Sequence, residues 1–103
     1  MADETRVPAA ELQEFTKSVF IAAGVPSEDA ALEAELLVWA NLRGVDSHGV
    51  LRIPWYVDLL GRGDMNSRPR IRVEKETAAT LLLDGDRALG PIVTTMAMRR
   101  ATA

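Results

Sequence analysis

The chain has 103 residues, 48% of them hydrophobic and 26% charged, with a net charge of −3 and no cysteine. That balance is ordinary for a single small globular domain and excludes a disordered or fibrous polypeptide, disulfides and thiolate metal sites. It gives no electrostatic footprint for nucleic acid, and with neither a signal peptide nor an apolar run of membrane-spanning length the expected location is the cytoplasm.

A first helix is expected from about Ala9 to Ala23, with Pro8 near its first turn, Glu11 and Glu14 close to the positive end of the dipole, and Gly24 as a left-handed stop. Leu12, Phe15, Val19 and Ala22 or Ala23 recur at helical spacing and form its expected buried stripe. Pro26-Ser27 opens a second helix, with Ser27 as N-cap, Glu28 and Asp29 in the first turn, and Gly44 as the stop after Arg43. Ala31, Ala34 and Val38 lie on one side of this helix, and Leu32, Leu36 and Trp39 on another, so it is covered on more than one face. A three-helix unit has too little protein to do that, and more chain or another subunit is expected to complete the cover.

The third helix follows Ser47 as its cap, with Val50, Ile53, Val57 and Leu60 on its core face and Gly61 and Gly63 at its end. Pro54 lacks an amide donor and presses on the carbonyl of Val50, so the helix must kink there or start afresh near the proline. Beyond Pro69, Ile71 and Val73 alternate with Arg70, Arg72 and Glu74 as a half-buried strand, and Thr80 to Leu83 is its partner, closing at Asp84-Gly85-Asp86. Arg62, Arg68, Arg70 and Arg72 are interspersed with Asp58, Asp64, Glu74 and Glu76 and have no aromatic interleaving, which marks a solvated strand face rather than a phosphate track. Gly90-Pro91 opens a last helix that keeps its spacing through Val93, Met96, Ala97 and Arg100 without a stop signal. The pattern is α+β. Residues 1–66 form a three-helix subdomain, and residues 67–103 form a β-hairpin and the start of a further helix, together the opening part of a larger fold.

The candidate chemistry lies in Asp46-Ser47-His48-Gly49-Val50-Leu51-Arg52, which holds the single histidine of the chain four positions before an arginine. On a continuous helix His48, Arg52 and Tyr56 share one face. An imidazole is the side chain that ordinarily titrates near neutral pH, and a guanidinium forks a carboxylate with two hydrogen bonds, so the pair suits a small carboxylic acid. Each residue also has a plainer reading: His48 as a packed or surface residue, Ser47 as a helix cap, Gly49 as a turn, Arg52 as a solvated cation, Tyr56 as amphipathic packing. One histidine and scattered carboxylates offer no metal-ligand set. Gly61-Arg62-Gly63 follows no strand, and Gly85-Asp86-Arg87-Ala88-Leu89-Gly90 lacks the glycine spacing and strand-to-helix placement of a dinucleotide fingerprint.

The run from Asn41 to Pro54, then Tyr56, the Gly61 to Asn66 turn, and Leu83-Asp84-Gly85-Asp86 leading to Leu89-Gly90, closely resembles the malate/L-lactate/L-sulfolactate dehydrogenase family. The likeness begins near Val7 and covers essentially the whole chain, though known members are several times longer and Pro91 replaces a more usual polar residue. The resemblance implies a non-Rossmann oxidoreductase that uses NAD or NADP and acts on a small 2-hydroxy or 2-oxo carboxylic acid, as a homodimer in the full-length protein. It further implies that His48 is the proton donor or acceptor, that Ser47 belongs to its relay, that Arg52 contacts the substrate carboxylate and that Tyr56 lines the same pocket. Residues 67–103 then open the cofactor-binding domain, whose cofactor contacts and histidine-orienting acid lie outside this chain, and the polypeptide alone is expected to be inactive. Two other classes compete: a non-catalytic helical interaction or dimerisation module in which His48 is incidental, and, ranked last, a helix-turn-helix DNA reader, against which Glu33, Glu35 and the lack of a basic face on the second helix weigh.

Overall fold

The computed structural model describes residues 5–103. Its elements run α1 (Ala9–Ala22), α2 (Ser27–Leu42), two single 3-10 turns (Asp46–His48 and Val50–Arg52), α3 (Ile53–Gly61), β1 (Arg72–Glu76), β2 (Leu81–Asp84) and α4 (Gly90–Ala101). The helix ends are decided locally. Gly24 (φ 99°) ends α1 in a Schellman motif, with the amide of Val25 donating to the carbonyl of Phe20 and that of Gly24 to Ile21. Gly44 (φ 77°) ends α2 the same way, with Val45 donating to Ala40 and Gly44 to Asn41. At the start of α2 the cap is Pro26, and Ser27 is already helical and makes no capping hydrogen bond, contrary to the N-cap expected of it.

α1 and α2 pack together, and α4 lies against α2. Phe20, Val25, Ala30, Leu37, Leu60, Leu89 and Ile92 form the buried cluster, with Val50, Ile53, Tyr56, Met65 and Ile71 packed against it. The buried stripe of α1 differs from expectation: Thr16 and Phe20 are buried, whereas Phe15 is 62% exposed. Leu12 permits both an i+3 and an i+4 continuation, and the contact with α2 selects the second. On α2, Ala30, Glu33, Ala34, Leu37, Val38 and Ala40 are buried, while Trp39 (53%) and Leu42 (67%) stay exposed, as expected of a helix with more apolar surface than four short helices cover.

The hairpin is antiparallel, pairing Arg72 with Asp84 and Val73 with Leu83, then Lys75 with Leu82 across a bulge at Glu74. β1 is exposed along its whole length rather than half-buried; Ile71, just before it, is the residue that reaches the core. The radius of gyration of 15.1 Å exceeds the roughly 13 Å of a spherical domain of this length, and the longest dimension is 53 Å. Among the described residues no helix is long and apolar enough to cross a membrane.

Candidate active site

The Schellman stop at Gly44 turns the chain back over the last turn of α2, and the two 3-10 turns carry it into α3. Each turn closes on one or two bonds: His48 donates to Val45 (3.1 Å), Gly49 to Asp46 (3.2 Å) and Arg52 to Gly49 (3.0 Å). α3 starts afresh at Ile53, so Pro54 falls in its first turn, where an amide is not needed. His48, Arg52 and Tyr56 therefore do not share a helical face, and Ser47 caps no α-helix.

Ser47 and Arg52 are nevertheless brought to His48 by another route. Ser47 Oγ lies 2.8 Å from His48 Nδ1. Arg52 Nε donates to the Ser47 carbonyl at 2.8 Å, and its guanidinium lies over the Trp55 ring, 5.5 Å from the centroid. The side chain is thus held at its Nε and along its face, which leaves the terminal nitrogens, unpaired with any described acid, as a fork for a carboxylate. With Nδ1 occupied by Ser47, Nε2 is the nitrogen of exposed His48 that makes no hydrogen bond among the described residues.

Tyr56 is placed differently. Its ring packs on Phe20 (6.2 Å between centroids) and Trp55 (5.1 Å), half-buried at the edge of the core. Burial, then the Glu33 carboxylate, push its phenol above the usual value, and the Arg52 cation opposes them. Glu33, on the α2 face turned into the core, is wholly buried, has no hydrogen-bond partner for either oxygen among the described residues, and is pushed by burial up to about 7.

Sequence reasoning gave no role to Asn41, which the structure makes the hub of this segment. Its Nδ2 donates to Asp46 Oδ1 (3.0 Å) and its Oδ1 accepts from the Val50 amide (2.9 Å). The available signal was an amide at the end of a helix followed by a glycine stop, which returns the chain to that amide. Two cavities, of about 430 and 310 Å³, lie on the α2–α4 side; none of Ser47, His48, Arg52 or Tyr56 lines either.

The segment from β2 to α4 does have strand-to-helix placement, which the sequence reading denied it. Its polar groups are already engaged: the Asp86 amide donates to Asp84 Oδ1, Ala88 to the Gly85 carbonyl, and the Asp86 carboxylate accepts from Asn66 Nδ2 and the Arg70 amide. Two carboxylates in the turn ahead of α4 and a proline in its first turn do not fit a pyrophosphate, so this turn is no dinucleotide cradle.

The family model described as malate/L-lactate dehydrogenase matches residues 7–103. Malate dehydrogenase of Pyrococcus horikoshii is 46% identical over 96 residues, covering 93% of this chain and 27% of that enzyme. L-sulfolactate dehydrogenase of Methanocaldococcus jannaschii is 45% identical over 78 residues, covering 76% and 23%. The solved structure of the Pyrococcus horikoshii malate dehydrogenase superposes with a TM-score of 0.90 at 44% identity over 96% of this chain and 29% of that one. The chain belongs to the malate/L-lactate dehydrogenase family, a family of oxidoreductases. It spans about a quarter of the length of the relatives it matches.

Proposed function

We propose that this chain supplies the substrate-binding and proton-transfer end of an NAD- or NADP-dependent dehydrogenase acting on a small 2-hydroxy or 2-oxo carboxylic acid. The observation that carries the proposal is the linkage of His48 and Arg52 through Ser47, which ties the His48 ring by its hydroxyl and Arg52 by its main-chain carbonyl. The nicotinamide supplies the hydride acceptor or donor; the turn from β2 to α4 does not fit its phosphates, and the chemistry assigned to this chain is that of the substrate end alone. His48 Nε2 takes the hydroxyl proton in the oxidative direction and returns it to the carbonyl oxygen in the reductive one. Ser47 holds the ring by Nδ1, the Arg52 fork holds the acid group, and Tyr56, whose phenol feels the Arg52 cation, borders the bound acid from the core side. Residues 67–103 open the cofactor-binding part of the whole enzyme, a cytoplasmic homodimer in this reading.

The test is a chimera in which residues 7–103 replace the matching segment of the Pyrococcus horikoshii malate dehydrogenase, assayed for oxaloacetate reduction by NADH absorbance. His48→Ala is expected to lower kcat by about 10²–10⁴-fold, the usual contribution of a general acid or base. Arg52→Leu is expected to raise KM while His48 continues to function. An active chimera whose turnover survives His48→Ala within twofold sinks the proposal. The 103 residues alone, which match only a quarter of the relatives, are expected to show no turnover. A non-catalytic helical module, the reading favoured by exposed Trp39 and Leu42 on α2, predicts that the His48 change is silent.

A further inference from the structure

We infer that Asn41 is a positioning residue for His48: one carboxamide locks both 3-10 turns flanking the imidazole, with Gly49 as the aperture through which it does so. The inference rests on the reading of His48 as the proton-transfer group. Asn41 sits in the last turn of α2, and the stop at Gly44 folds the following segment back onto it. Its Nδ2 holds Asp46, the first residue of the turn that ends in His48, and its Oδ1 holds the amide of Val50, the first residue of the next turn. The assignment of the two ends is determined chemically, since an amide N–H requires an acceptor and a carboxylate a donor. Only Ser47, His48 and Gly49 lie between the two clamped residues.

Gly49 is buried while Asp46, Ser47 and His48 are exposed. Its φ of −98° needs no glycine. What needs a glycine is space: a Cβ at this position sits 2.7 Å from Asn41 Nδ2 and still closer to Oδ1 and Cγ. The carboxamide occupies the space a side chain at position 49 would take, so the two residues are matched by contact, beside the hydrogen bonds Asn41 makes to Asp46 and Val50. A clamp on both sides of His48 limits the ring to the orientation in which Ser47 Oγ reaches Nδ1; because a hydroxyl both donates and accepts, that bond holds the ring in either tautomer and leaves Nε2 free.

Because His48 is the only histidine, ring-¹⁵N-labelled protein reports on it without ambiguity. In the 103-residue chain at pH 8, Asn41→Ala is expected to move both ring nitrogen shifts toward those of free imidazole and to speed exchange of the Val50 amide about tenfold. Asn41→Asp, which keeps an acceptor for Val50 but opposes Asp46 with a second carboxylate, is expected to leave Val50 protected and move the ring shifts less. It carries the test if the alanine variant does not fold. Gly49→Ala is expected to disturb the ring shifts and the midpoint of unfolding in the parent, and to do so much less when combined with Asn41→Ala, which vacates the space. Ring shifts unchanged in the Asn41 variants, or a Gly49→Ala effect of equal size in both backgrounds, overturn the inference. The outcome is independent of turnover in the chimera, so failure of the clamp and failure of the catalytic assignment are read separately.

Discussion

The exposed return from α2 to α3 and the buried contact between α1 and α2 treat polar groups in opposite ways. Between Asn41 and Arg52, where water is available to every side chain, the polar atoms are paired with one another: Asn41 with Asp46 and Val50, Ser47 with His48, Arg52 with Ser47. In the core, where pairing matters most for stability, the Thr16 hydroxyl and both Glu33 oxygens have no partner among the described residues. Exposed pairing adds little stability but limits the orientations a side chain adopts, which is what a site requires. Buried unpaired polarity lowers stability, because desolvation is not offset by a hydrogen bond.

Glu33 offers the largest lever on that contrast. Its folded value of about 7 against an ordinary 4.5 means that between those limits the folded state holds a proton that the unfolded state has released. Stability is therefore greatest below about pH 4.5 as far as this group is concerned, and falls as pH rises to about 7, by an amount on the order of 3 kcal/mol. Urea unfolding at pH 5 and pH 8 is expected to show this loss in the parent; Glu33→Gln is expected to abolish its pH dependence, and Glu33→Leu to stabilise the chain at pH 8 by about 2–3 kcal/mol. A Glu33→Leu variant less stable than the parent at pH 8 would show that the carboxylate is paired after all.

The next effect comes from an outlying polar cluster that resembles the exposed segment rather than the core. Asp86 (φ 51°) and Arg87 (φ 57°) both adopt left-handed backbone, and the Asp86 carboxylate holds this turn to Asn66 and to the Arg70 amide. Asp86→Ala removes two charge-assisted bonds and puts a residue less tolerant of that conformation at the turn, with an expected loss of about 2 kcal/mol in thermal or urea unfolding. Thr16→Val is the smallest of the three. It replaces an unpartnered buried hydroxyl with a methyl of the same shape and is expected to add about 1 kcal/mol, whereas a partnered hydroxyl gives the opposite sign.

Much of the fold was legible in the chain because its punctuation is steric and local. Gly24 and Gly44 mark stops that any L side chain with a Cβ disfavours, and Pro54 permits a helix to begin but not to continue through it. The antiparallel hairpin and the final helix were readable for the same reason. Less legible was the buried side of α1, since Leu12-Phe15-Val19 and Leu12-Thr16-Phe20 fit helical periodicity equally well. Only the position of α2 decides between them, and it buries Thr16 while leaving the larger Phe15 in water.

For the candidate site the division is similar. The motif named Ser47, His48 and Arg52, because residue type alone states which groups exchange protons and which fork a carboxylate. Their joint placement was derived from a helical face that does not exist: Arg52 reaches Ser47 across a 3-10 turn, Tyr56 turns to Phe20, and Asn41 spans nine residues to the Val50 amide. Identity and backbone limits are properties of each residue, and so belong to the sequence. Pairing depends on how far the chain folds back upon itself, and so was decided by the tertiary structure.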